Sequence, residues 1–146
     1  MTLMKRLKKN ERGAALLEAA ITVPIILLVS VGIFEFGRAY QTWQVLTNAA
    51  REGARLAVIQ GSTDTDVTAR VRNYMQSGSL PNYASATVTV ARNVVLTGPD
   101  TASRIQINYP FRFIVLNPVV RLIAPRNSTT GAPITMTSSA IMRNEM

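Results

Sequence analysis

The sequence predicts an α+β fold in which a long N-terminal helix, first transmembrane and then amphipathic, carries a short helix and a small antiparallel β-sheet. Three observations predict it. Residues 14–34 form an apolar run with a single charge. Apolar residues then recur every three or four positions up to residue 60, which is the period of a helix. Later segments alternate apolar and polar residues, as strands with one buried face do. Helices beside an antiparallel sheet define the α+β class.

The apolar run extends over 21 residues, from Ala14 to Phe34. As a helix it would be about 31 Å long, close to the roughly 30 Å of hydrocarbon in a bilayer. Five cations and one acid precede it within residues 1–12, and such a basic flank marks the cytoplasmic end of a span. Aromatic residues typical of the opposite interface follow, namely Phe34, Phe36, Tyr40 and Trp43. We therefore predict a basic leader at 1–13, a transmembrane helix at 14–36 and an extracytoplasmic domain at 37–146.

A cleaved secretory signal peptide is the alternative interpretation of this segment, because it also combines basic residues with an apolar run. The run here is longer than the usual apolar region of about 7–15 residues, and no small-residue cleavage site follows it. Bulky side chains fill the next stretch, EFGRAYQTW. The pattern favours a retained membrane anchor.

Glu18 is the one charged residue inside the run. A carboxylate at membrane depth costs about 2.5–3.5 kcal/mol, and such residues usually have a partner. Two interpretations remain open. Glu18 lies five residues inside the boundary and could sit near the headgroups. Alternatively, if the chain were cut between Gly13 and Ala14, Glu18 could compensate the new ammonium of Ala14 in a neighbouring subunit.

Beyond the membrane, the sequence predicts two helices and three strands. The helix 37–60 would bury one apolar stripe, and the helix 64–76 would begin at Thr63 or Asp64 as its cap. The strands are predicted at 86–96, 104–116 and 134–142, with the second bent or at an edge where Pro110 cannot donate a hydrogen bond. Residues 117–133 predict a long exposed loop. The predicted stripe of the first helix contains Tyr40, Trp43, Leu46, Ala50, Ala54 and Ala57, and that of the second contains Val67, Val71 and Tyr74.

The stretch from Arg51 to Arg55, REGAR, has two interpretations. Its arginines could bind phosphate. The alternative, which we favour, is that its small residues let another element approach closely while the arginines pair with acids or water. No glycine-rich phosphate loop occurs in the sequence.

Composition argues against catalysis. The chain has neither cysteine nor histidine, which removes thiolate chemistry, the commonest general base and the commonest transition-metal ligand. Its eight acids are scattered. We expect no enzyme activity, cofactor, metal or small-molecule substrate. The net charge of +8 could favour an anionic partner, but nothing in the sequence interleaves aromatic and basic residues as single-strand binders do.

Two polar motifs at a fixed spacing carry a family resemblance. The stretches ERGAALLEAAITVPIILLVSVGIFEFGRAY and QVLTNAAREGARLAV resemble the TadE-like family of pseudopilins, which is associated with tight-adherence (Flp-type) pilus assembly. The resemblance implies a pilin-like layout and a leader removed after Gly13 by a prepilin peptidase. It also implies that Glu18 is the acidic residue of the mature helix, through which other pilins or pseudopilins pair. The close match covers about the first 58 residues.

The resemblance predicts a minor pilin or pseudopilin of a type IV-like pilus at the bacterial inner membrane, with its N-terminus in the cytoplasm and its domain in the periplasm or outside the cell. Two alternatives belong to other classes. One is an uncleaved, membrane-anchored accessory protein of pilus assembly or secretion. The other is a basic extracytoplasmic module that binds DNA or another anion, and its binding would weaken steeply with salt.

Overall fold

The computed structural model describes residues 3–95, 100–123 and 132–144. In this part of the chain the predicted α+β architecture is confirmed. A long helix, a second helix and a three-stranded antiparallel sheet follow one another, with a third short helix between the last two strands. The elements are α1 (Leu3–Ala57), α2 (Asp64–Ser77), a 3-10 turn (Tyr83–Ser85), β1 (Thr87–Val95), β2 (Thr101–Phe111), α3 (Leu116–Ile123) and β3 (Ile134–Arg143).

Helix α1 is one continuous element of 55 residues, about 80 Å long at 1.5 Å per residue. It continues through Pro24. Its described residues before position 31 are exposed, whereas its last part is buried along one stripe. That stripe contains Leu46, Ala49, Ala50, Ala54 and Ala57. The prediction of a stripe is therefore confirmed from Leu46 onward.

Tyr40 and Trp43 do not belong to the buried stripe, and this part of the prediction is wrong. Both rings are exposed and lie with centroids 6.2 Å apart on the surface of α1. Buried residues on this stretch of helix are Glu35 and Thr42 instead. Periodicity alone predicted the wrong residues because the buried face of this stretch contains Glu35 and Thr42, whereas Tyr40 and Trp43 lie on an exposed face.

Helix α2 packs against α1 and begins as predicted. Thr63 caps it: its side chain accepts a hydrogen bond from the amide of Asp66, whose carboxylate accepts one from the amide of Thr63. This reciprocal pair satisfies two donors at the helix start. Val67 and Val71 face the core as predicted, but Met75 takes the position predicted for Tyr74, which is exposed.

The sheet has the order β1–β2–β3, so β2 is central. Its alternate residues Ser103, Ile105, Ile107, Tyr109 and Phe111 are buried against the helices. Pairing with β1 ends at Asn108 while pairing with β3 continues to Phe111. Pro110 therefore lies where β2 has one neighbour only, in agreement with the predicted edge position. Strand β1 bulges between Ala91 and Val94.

The structure corrects the second predicted strand and the loop after it. The strand was predicted at 104–116, but β2 ends at Phe111, so Phe113 and Val115 lie outside the sheet. Residues 117–133 were predicted as a loop, yet α3 occupies Leu116–Ile123. Pro118 had indicated a loop. However, proline is tolerated in the first turn of a helix, where an amide has no partner in any case. Residues 124–131 of the predicted loop lie outside the described residues.

The other strand predictions differ from the structure by only one or two residues. The strand predicted at 86–96 is β1, Thr87–Val95, and the strand predicted at 134–142 is β3, Ile134–Arg143. The helix predicted at 37–60 is the last part of α1 and ends at Ala57 rather than at residue 60.

Candidate functional site

The residues predicted for cleavage and subunit pairing lie on the exposed first half of α1. Gly13, Ala14 and Glu18 are all exposed. Ala14 and Glu18 are four positions apart, which places them on one face of the helix, one turn from each other. At Gly13 an added side chain would meet nothing within 4 Å.

Glu18 stands among apolar side chains that face outward. Leu17 and Ile21 beside it are also exposed. None of the residues whose side chains are described forms a hydrogen bond or an ion pair with Glu18. A carboxylate in such surroundings needs a partner from outside the chain or a position near water.

A second group of residues joins α1 to the sheet domain, and we call it the junction cluster: Glu35, Arg38, Phe111 and Val115. Glu35 is 3% exposed. One of its oxygens accepts a hydrogen bond from Arg38 Nη2 at 3.0 Å, and the other accepts one from the amide of Val115 at 2.5 Å. This carboxylate therefore fastens the helix to the chain just after β2.

Arg38 completes the junction cluster. Its guanidinium lies over the Phe111 ring, 4.6 Å from the centroid, where a cation is attracted to the aromatic face. The same group donates to the carbonyl oxygen of Arg112. One arginine thus contacts the helix, the end of β2 and the segment that follows.

Aromatic packing reinforces this contact. Phe113 lies edge-on to Phe36 of α1 and to Phe111 of β2, with centroid distances of 6.2 Å and 5.1 Å.

The Tyr109 hydroxyl donates to the carbonyl oxygen of Pro81. Burial raises the pKa of this hydroxyl above its ordinary value, and the positive charge of Arg38 offsets only part of that effect. Tyr109 is therefore a neutral donor at physiological pH.

Glu35 and Arg38 belong to the motif that carries the family resemblance, but the sequence predicted no role for them. The available signal was their opposite charge at a spacing of three, directly after the apolar run. Residues three apart face one another on a helix, so an ion pair could have been predicted. Its burial could not, because the atoms that cover it come from residues about 80 positions further along the chain.

The REGAR stretch lets α2 approach α1 closely, as the favoured interpretation predicted. A side chain added at Gly53 would come within 2.5 Å of Val71 of α2. Glu52 accepts a hydrogen bond from Arg70 of α2 at 2.6 Å, so the acid of the stretch is paired between the two helices. Arg51 and Arg55 are exposed.

Arginine pairing takes up part of the positive charge of the domain. Arg92, at the bulge of β1, donates to Asp64 at 2.6 Å and to the carbonyl oxygen of Ala57, the last residue of α1, at 2.8 Å. A cation at this position complements the negative end of the helix dipole. Arg143 likewise pairs with Asp100 at 2.7 Å.

The described residues contain no group of three or more acids that could hold a metal ion. An open groove of about 950 Å³ lies between α1, the turn after α2 and the end of β2. Among the described residues, its charged lining residues are Arg38 and Arg112.

Comparison with known proteins identifies the first part of the chain. Residues 13–55 match the family model described as TadE-like protein, which confirms the resemblance over this stretch. No curated protein and no solved structure matches the chain. The match indicates a protein associated with the Tad pilus, in a structural or assembly role. It includes Gly13, Glu18, Glu35, Arg38 and Gly53, whereas the sheet lies outside it.

Proposed function

On the basis of the TadE-like match, we propose that this protein is a minor pilin or pseudopilin, a structural and assembly subunit of a Tad pilus. Its N-terminus lies in the cytoplasm, the first half of α1 crosses the inner membrane, and the head, residues 37–146, lies on the outer side. Five basic residues before the span support this orientation.

The division of α1 into two halves is the observation that carries this proposal. The helix is long and apolar enough to cross a membrane, and the apolar window is wholly exposed. The second half of the same helix is one wall of the head's core. An apolar helix that its own domain leaves uncovered needs lipid or other helices around it. The helix of a pilin subunit is surrounded first by lipid, in the membrane, and then by other helices, in the filament.

Glu18 is the residue we propose for pairing between subunits. If prepilin peptidase cuts after Gly13, the new ammonium of Ala14 is a cation at the right depth for the Glu18 carboxylate of a neighbour. Both groups would then enter the apolar contact between helices as a pair, which is far less costly than burying either alone.

Replacing Glu18 with leucine should abolish or strongly reduce filament assembly while insertion into the membrane persists. Removing one partner of a buried ion pair costs about 3–5 kcal/mol, so we expect the amount of this subunit in sheared pili to fall at least tenfold, taking about 1.4 kcal/mol per factor of ten. Immunoblots of membrane and pilus fractions measure both quantities.

Ile21→Leu is the matched control, because it changes an exposed apolar residue of the same helix and leaves the charge intact. It should assemble as the native chain does. Normal incorporation of the Glu18→Leu subunit would contradict the pairing role of Glu18.

Processing after Gly13 has a separate test. Glycine weakens a helix by about 0.8–1.0 kcal/mol relative to alanine, so α1 is locally weakened at Gly13, and glycine places no side chain before the bond to be cut. We expect Gly13→Leu to keep residues 1–13 and the native chain to lose them in a host with prepilin peptidase. Mass spectrometry of the intact proteins measures this difference.

Gly37→Leu is the control for processing, since Gly37 lies in the same helix and also has open space around it. It should be cut normally. A native chain that keeps residues 1–13 would instead indicate the uncleaved, membrane-anchored accessory protein.

A further inference from the structure

The segment after β2 exposes apolar side chains next to the membrane helix. Ile114 is 66% exposed, Val115 42% and Val119 37%. We call these three residues the apolar foot. The amide of Val119 in α3 donates to the carbonyl oxygen of Val115, so Val115 lies directly before α3, one turn from Val119.

The foot lies at the level where α1 leaves the bilayer. Residues 14–34 extend over about 31 Å as a helix, so Glu35 follows directly after the hydrocarbon. Because the amide of Val115 bonds to Glu35 at 2.5 Å, the chain at Val115 is held at the same level. Val119 is one helical turn away, about 5.4 Å along α3.

The exposed surface of the foot continues that of the membrane helix. Ile114 and Val115 line a groove of about 600 Å³ together with Val31, Ile33 and Phe34 of α1, and Phe34 is 81% exposed. Contiguous apolar surface of this kind marks an interaction site. Here it joins the face of α1 that the bilayer itself must cover.

The charges around the foot fit a lipid surface. Residues 112–123 contain two arginines, Arg112 and Arg121, and no acid. Basic residues beside an apolar helix face are the pattern of a segment that lies in the interface of an anionic membrane. A second copy of this chain offers no such anionic surface, since its head is basic overall.

We propose that the apolar foot docks on the outer leaflet, with acyl chains filling the groove beside Phe34 and Ile33 and anionic headgroups near the arginines. The head is then held to the membrane at two places, α1 and the foot, and its tilt is restricted. This inference rests on the membrane placement in the proposed function and adds a second lipid contact to it.

The chain contains no cysteine, so one introduced cysteine carries a fluorescent label at a single position. The variants Ile114→Cys and Val119→Cys are labelled separately, and each full chain is placed in anionic liposomes. The liposomes contain lipids with a doxyl quencher near the headgroup end of the acyl chain. Ile59→Cys, on the exposed turn after α1, is the negative control, about 35 Å beyond Phe34 along the helix. Leu28→Cys, within the span, is the positive control.

We expect both foot labels to lose about half their fluorescence, since interfacial helices place their apolar face about 5–10 Å into the boundary, while the label at position 59 stays unchanged. Quenching at position 28 without quenching at either foot position would overturn the inference and leave the proposed function intact. An unquenched label at position 28 would overturn both. Foot labels that stay unquenched at every protein-to-lipid ratio, but whose emission shifts to the blue as that ratio rises, would show a second copy as the occupant and overturn the inference.

Discussion

Replacing Glu35 with alanine will destabilise the head by about 2–3 kcal/mol, because it leaves Arg38 without its acid and the amide of Val115 without its acceptor. The expected loss is below that of a fully buried pair because the Arg38 side chain is 31% exposed. Residues 112–115 should separate from α1 at the same time. Urea unfolding of the full chain in detergent micelles measures the first effect, and hydrogen exchange at the Val115 amide measures the second.

Glu52→Ala is the matched control for Glu35→Ala, since it breaks the ion pair with Arg70 at the surface of the same domain. Exposed pairs contribute about 0–1 kcal/mol, so this variant should remain close to the native chain. Equal losses of stability from the two substitutions would show that the junction cluster stabilises the head no more than an exposed ion pair does.

Replacing Gly53 with leucine will destabilise the head by about 3 kcal/mol or more, the upper range for overfilling a core. The first added atom alone would lie 2.5 Å from Val71 and 3.4 Å from Ile105, so α2 and the sheet must both move away from α1. Helix propensity cannot explain the loss, because leucine favours a helix over glycine by roughly 0.8 kcal/mol. The same urea titration measures the change.

Gly37→Leu again provides the comparison, with the same chemical change in the same helix but open space around the residue. It should be neutral or stabilising by up to about 1 kcal/mol. A loss at position 37 as large as that at position 53 would point to backbone effects rather than to the overlap with Val71.

The features that the sequence predicted well are those determined by neighbouring residues. The cap at Thr63 and the alternation in β2 each depend on a repeat or a pairing within a few positions, and each agrees with the structure. The end of β2 was missed because the segment after Phe111 is held by Glu35, a contact between distant parts of the chain. Helix α3 was missed because its proline suggested a loop.

The candidate site likewise has one part that depends on neighbouring residues and another that depends on contacts between distant residues. Gly13, Ala14 and Glu18 come from local sequence and the family resemblance, and their roles remain predictions. The junction cluster depends on tertiary contacts, so the sequence could name Glu35 and Arg38 as a motif but not describe what they hold. The sequence predicted a close contact near Gly53 but not its partner, because small residues indicate close approach without identifying the neighbouring element.

Because α1 is one unbroken helix, it couples the motion of its N-terminal half to that of the head. About 35 Å of helix separates Phe34, at the end of the apolar run, from the last turn at Ala57, and the head's core is built along it. A tilt of the embedded end by about 10° would shift the far end by roughly 6 Å, as follows from that length. Whatever pulls or turns the anchor therefore moves the whole head with it, and force applied to the head reaches the anchor through the same rod.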